Sequence, residues 1–167
     1  MFAFYNKHNN NLYIKLVEFS RNIFFYQKQG LKDSFETRVN LIFIHFLIIL
    51  IILKNRNAEK KMIQNIFDNI FTNIEYHMRE MGVGDVGVNK KMKILNKVFY
   101  NILLKINSKD NANFTVNKNI IKEHLYYNFD TNNVLLSEIS DYFESFYKYC
   151  FVLDDNSMLK GQIEFKI

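Results

Sequence analysis

One apolar run restricts this chain more than anything else in it. From Val39 to Leu53, between Arg38 and Lys54, fifteen residues carry only two polar side chains, Asn40 and His45. As a helix the run is about 22 Å long, short of a hydrocarbon core of about 30 Å. A helix apolar nearly all round has no face to offer water, so other elements must enclose it. We read it as the buried central helix, about Phe35 to Lys54, with peripheral membrane contact left open.

The rest of the chain supplies the cover. Tyr13, Leu16, Val17, Ile23 and Phe24 recur at helical spacing in a first helix from Asn11 to about Gln29, closed by Gly30. Asp33 or Ser34 caps the central helix, with Glu36 in its first turn. A third helix, Ala58 to Met81, has the stripe Ile63, Ile66, Phe67, Ile70, Ile74 and Met78. A fourth, Asn89 to Ile106, has Met92, Leu95, Val98, Phe99 and Ile102. Thr115 or Asn117 caps a shorter fifth, running to about Phe129, and a sixth carries Leu135, Ile139, Phe143, Phe146 and Cys150. The tail, Gln162 to Ile167, alternates polar and apolar residues and reads as extended. The expectation is all-α: residues 1–167 as a single domain, a bundle of about six helices.

Between the third and fourth helices lies Arg79-Glu80-Met81-Gly82-Val83-Gly84-Asp85-Val86-Gly87, with three of the five glycines in the chain. A helix interior penalises each glycine by about 1 kcal/mol relative to alanine, so the stretch ends one helix and starts another. Gly82 is the expected left-handed residue, and Asp85 or Asn89 the next cap. The same residues spell GxGxxG. That pattern binds dinucleotides only when a strand feeds it and an acidic residue lies about 20 positions on. Here the feeding segment is helical and Asn107, Ser108 and Lys109 stand where the acid belongs, so the Rossmann reading fails.

Charge and cysteine content set the remaining bounds. A net charge of +5 suits RNA, acidic lipid or an acidic partner, and equally suits lysines on solvated faces. Cys150 is the single cysteine, so no intrachain disulfide forms and a reducing compartment fits. The first eight residues lack the basic head, apolar run and cleavage site of a secretory signal.

Catalytic constellations are weak. His8, His45, His77 and His124 show no metal-ligand spacing, and one cysteine builds no thiolate cluster. His45 reads as a core histidine bonded to a polar neighbour. Asp68 and Glu75 share a helix face but lack the Glu-x-x-His motifs of a diiron bundle. Asp33, Arg38, Asp68, Arg79, Glu80 and Asp85 border apolar stripes, where they either lock neighbouring elements together or form a recognition surface. Lys90, Lys91 and Lys93 open the fourth helix, where free backbone N–H groups favour an anion unless the lysines are merely solvated.

With those residues in place, the sequence resembles the ubiquinol–cytochrome c chaperone family, assembly factors of respiratory complex III. Arg79-Glu80-Met81-Gly82-Val83-Gly84-Asp85, then Lys90-Lys91-Met92-Lys93 and Phe99-Tyr100, carry the likeness. Tyr26, Gly30, Asp33-Ser34-Phe35, Arg38, His45, Phe67-Asp68 and Phe71 agree in order, so it covers about Leu12 to Lys105. It departs from the family pattern at Asn40 (a glutamate expected), Asn89 (a proline) and Asn101 (a glycine).

The resemblance implies a non-enzymatic chaperone without cofactor. Such a protein holds newly made cytochrome b until haem and subunits join, on the cytoplasmic side of a bacterial inner membrane or the mitochondrial matrix side. A ribosome and a small assembly partner are the further implied contacts; DNA is not. Arg38, His45, Asp68, Arg79, Glu80, Gly82, Gly84, Asp85, Lys90, Lys91, Lys93, Phe99 and Tyr100 are the motif residues expected to serve partner binding. A basic helical module for RNA or the ribosome is the alternative.

Overall fold

The computed structural model describes residues 10–107, 113–127 and 131–167. Within them run α1 Asn11–Ser20, α2 Phe35–Asn55, α3 Lys60–Glu80, α4 Asp85–Lys105, α5 Lys118–Leu125, α6 Asn133–Phe151 and α7 Asp155–Leu159. Among the described residues no strand forms; one isolated bridge joins Asn107 to Val116. The all-α expectation stands.

The apolar run does lie at the centre. α2 packs against α1, α3, α4, α5 and α6, and every residue from Leu41 to Leu50 is buried. By length and apolarity α2 would also qualify as a membrane span, but most of it is covered by its neighbours. Ser34 caps it, its Oγ accepting from the Thr37 N–H at 3.2 Å.

Two aromatic clusters fasten the cover. On one side of α2, Phe43 meets Phe71 of α3 at 5.4 Å and Phe99 of α4 at 5.2 Å between ring centroids. On the other, His45 is ringed by Phe19, Phe25, Phe143 and Phe146. Off-stacked and edge-to-face contacts of this kind add about 0.5–1.5 kcal/mol each beyond area burial.

Several boundaries differ from the sequence expectation. The first helix stops at Ser20, and the chain resumes as one π-helical turn, Phe24–Lys28. The Ser20 hydroxyl donates to the Val17 carbonyl at 2.7 Å, and Asn22 Oδ1 accepts from the Phe24 N–H at 2.9 Å. These side chains compete with the helical ladder. The break turns both Phe24 and Phe25 into the core. α5 ends at Leu125, while Phe129 lies outside the described residues.

α7, not foreseen, is capped by Asp154, whose Oδ1 accepts from the Ser157 N–H at 2.9 Å. It ends on Gly161, and the irregular tail then buries Ile163 and sets Phe165 against Tyr142, Phe146 and Tyr149.

Long-range polar ties complete the bundle. Arg56, past the end of α2, donates to the Leu153 carbonyl at 2.8 Å and to Asp155 Oδ1 at 2.6 Å, tying α2 to the α6–α7 turn. Buried Gln29 donates to Glu138 at 2.8 Å and accepts from Tyr126 at 2.9 Å.

Gly161 fixes the tail in place. Its φ is +68°, and a Cβ there would meet the Asn11 carbonyl oxygen at 2.5 Å, which is backbone and cannot swing aside. Gly161→Ala is expected to cost about 2–4 kcal/mol in chemical denaturation, from left-handed strain and overpacking together. Gly30→Ala has the same sign of φ but open space around it, and should cost only about 1 kcal/mol.

Candidate functional site

The α3–α4 corner is built by backbone chemistry first. Gly82 takes φ +83°. The Gly82 N–H donates to the Arg79 carbonyl at 2.9 Å and the Val83 N–H to the Met78 carbonyl at 3.1 Å, the paired bonds of a Schellman stop. Gly84, with extended ψ, is the N-cap of α4, so Asp85 is its first residue and Asn89 lies inside it. The expected cap at Asp85 or Asn89 is corrected here: Gly84 provides the turn, and Asp85 meets the helix dipole from the first turn. A helix and not a strand feeds the glycines, so no dinucleotide cradle exists at this corner.

Arg79 clamps the corner. Its Nη2 donates to Glu75 Oε1 at 2.8 Å within α3, and its Nη1 pairs with Asp85 across the turn. Both carboxylates raise the Arg79 pKa further, so it carries its charge at any working pH. Arg38 likewise grips Asp33 with two bonds, 2.7 and 2.9 Å, and holds that carboxyl below its usual range. All four charges are paired, Arg79 with Asp85 across the α3–α4 turn and Arg38 with Asp33 at the start of α2.

Two hollows flank the N-terminal half of α2. A cavity of about 300 Å³ lies where Tyr13, Arg21, Phe35, Arg38, His77 and Glu80 converge. A wider groove of about 700 Å³ runs between α2, α4 and α5. Ile94, Val98, Leu125 and Tyr127 give it an apolar wall, and Lys32, Glu36, Glu123 and His124 a polar rim.

The sequence-expected residues divide between these surfaces and the interior. Arg38 and Glu80 line the smaller cavity. Lys90, Lys91 and Lys93 are exposed on α4, and Lys91 lies over the Phe35 ring at 5.9 Å. Tyr100 is half exposed, and Asp68 is exposed, accepting from Gln64 at 2.8 Å. His45 and Phe99, by contrast, are fully buried, so neither presents a surface to a partner. The Phe- and Met-rich faces of α3 and α4 are likewise turned inward: Phe71, Met78 and Phe99 are core residues.

His45 is a satisfied core histidine. Its Nδ1 donates to the Leu41 carbonyl at 2.7 Å, which leaves Nε2 to accept from the Tyr142 hydroxyl at 2.8 Å. Burial pushes its pKa down to about 4. Sequence reasoning missed a second histidine network at the groove. Asn40 donates to the His124 carbonyl at 2.8 Å and Asn101 donates to His124 Nε2, also at 2.8 Å, joining α2, α4 and α5. Burial again lowers the His124 pKa. Asn40 and Asn101, both departures from the family pattern, converge on this one residue. Among the described residues, no group of three His, Cys, Asp or Glu is placed to hold a metal.

The model of the ubiquinol–cytochrome c chaperone family matches residues 27–165. The chain belongs to that family. The match spans far more than half of the sequence. It begins at residue 27 and not at Leu12, and it takes in α5, α6 and α7, which the residue-level likeness left out. Membership makes the protein a chaperone in the assembly of respiratory complex III. No curated protein and no solved structure matches the chain.

Two predictions follow from this geometry. Because the fold holds His45 neutral, protonation favours the unfolded chain. Stability is therefore complete above about pH 6.5 and declines as pH falls toward 4, by about 3 kcal/mol. His45→Gln should be less stable at pH 7 and show a much flatter denaturation midpoint across that window. At the corner, Gly82→Ala should cost about 1 kcal/mol for its positive φ, whereas Gly84→Ser, an N-cap in extended conformation with open space, should not destabilise.

Proposed function

We propose that this chaperone holds newly synthesised cytochrome b, without catalysis, by laying an apolar segment of that protein in the α2–α4–α5 groove. The observation that carries the reading is the groove itself. It keeps Ile94 and Tyr127 accessible, at 54% and 69%, in a protein that buries most of its large apolar side chains. A membrane-protein segment waiting for its haem and its neighbours needs such a surface, since its apolar face otherwise aggregates. The polar rim of Lys32, Glu36 and Glu123 would receive the segment's ends.

In this reading the motif residues have two duties. Arg79, Gly82, Gly84 and Asp85 keep the corner rigid and so fix α4 relative to α2. Arg38, Glu80, Lys90, Lys91, Lys93 and Tyr100 stand at accessible edges around it. Contact with the ribosome and with a small assembly partner belongs to the same reading, at the inner membrane where the subunit is inserted.

Co-purification of cytochrome b under mild detergent tests this. Tyr127→Asp and Ile94→Asp, at exposed positions, should each lower recovery several-fold and reduce assembled complex III in the cell. Capture through the groove should depend little on salt, in contrast with RNA binding, whose affinity falls steeply as salt rises. Full recovery with both folded variants would refute the groove assignment.

A further inference from the structure

We propose that the outward face of α4 is a docking surface for an anionic phospholipid bilayer. At 100° per residue, Val86, Lys90, Lys93, Lys97, Tyr100 and Leu104 fall within an arc of about 80° along α4. All six are exposed, Val86 at 84% and Leu104 at 71%. The stripe is about 27 Å long, from Val86 to Leu104. Ile94 and Val98 lie to one side of it, toward the groove, so the stripe and the groove are separate surfaces on one helix.

Charge points to an anion. α4 carries five lysines, at 90, 91, 93, 97 and 105, against one carboxylate, Asp85, which Arg79 already holds. α3 gives the contrast. Its exposed positions are Lys60, Lys61, Gln64, Asn65, Asp68, Asn69, Thr72 and Glu80, mixed in sign and without one large apolar side chain. That is an ordinary solvated face, and α4 does not have one.

The apolar members decide which anion. Phosphodiester backbones take lysines, but a nucleic acid offers little to Val86 and Leu104, and a single aromatic, Tyr100, makes a poor base-stacking platform. A bilayer interface takes both kinds: aliphatic side chains enter the headgroup–acyl boundary, tyrosine sits at headgroup level, and lysines pair with anionic lipids. With α4 flat on the membrane, the groove beside it opens next to the surface from which a membrane segment emerges.

The test is flotation of the full chain with vesicles of phosphatidylcholine containing one-third phosphatidylglycerol, against phosphatidylcholine alone. The anionic vesicles should carry the protein and the neutral ones should not. Lys90→Gln, Lys93→Gln and Lys97→Gln combined should weaken partitioning on the order of 100-fold. Val86→Ser with Leu104→Ser, charge unchanged, should weaken it several-fold, and Tyr127→Asp, a groove variant, should leave it intact.

All of these positions are exposed, and circular dichroism checks that the variants fold. Equal binding to both vesicle types, or an unaffected lysine variant, would overturn the proposal. So would an apolar variant that floats normally while single-stranded RNA binds the wild type as tightly as the vesicles do; the stripe would then be a general polyanion site.

Discussion

A helix without a polar side stays in water only while other helices cover it, and α2 sets this condition for the whole chain. Its neighbours meet the condition with aromatic rings, five of which, Phe19, Phe25, Tyr142, Phe143 and Phe146, converge on His45. The one imidazole in this setting must give and receive a hydrogen bond, because an orphaned polar group there would cost about 1–3 kcal/mol. Leu41 and Tyr142 supply both bonds. Tyr142 comes from α6, 97 residues away, so the polar pair pins the last long helix to the core helix.

The glycine corner belongs to this same frame. Its backbone bonds and the Arg79 clamp join α3 to α4, and α4 in turn packs against α2. α4 then shows three faces with three environments. One face, with Phe99 and Ile102, belongs to the core; another, with Ile94 and Val98, walls the groove; the third is the lysine-rich stripe. The groove's apolar wall thus lies between a polar rim and a basic edge.

His124 is the counterpart of His45 at the surface. Asn40, Asn101 and Glu123 surround it, and through them α2, α4 and α5 are joined at the groove's floor. Its unprotonated Nε2 is required for the bond from Asn101, and burial favours that state. The groove's shape therefore rests on a polar network, whereas the opposite side of α2 rests on packed phenylalanines.

Much of this was legible in the sequence for local reasons. The period of apolar residues placed the long helices, Gly30 closed the segment before α2, Ser34 was one of two candidate caps for α2, and Gly82 stopped α3, because capping and φ preference act over a few residues. The all-round apolarity of residues 39–53 required enclosure before any coordinate was known. Partners separated by many residues were beyond that kind of reading. Neither Tyr142 for His45, nor Asn40 and Asn101 for His124, nor Arg56 for the α6–α7 turn can be found from spacing, since no local rule relates them. Which aromatic residues stay outside was also decided late. Phe99 and Tyr100 are adjacent in the chain, yet a helix turns 100° per residue, and packing against Phe43 and Phe71 placed the first inside and left the second in water.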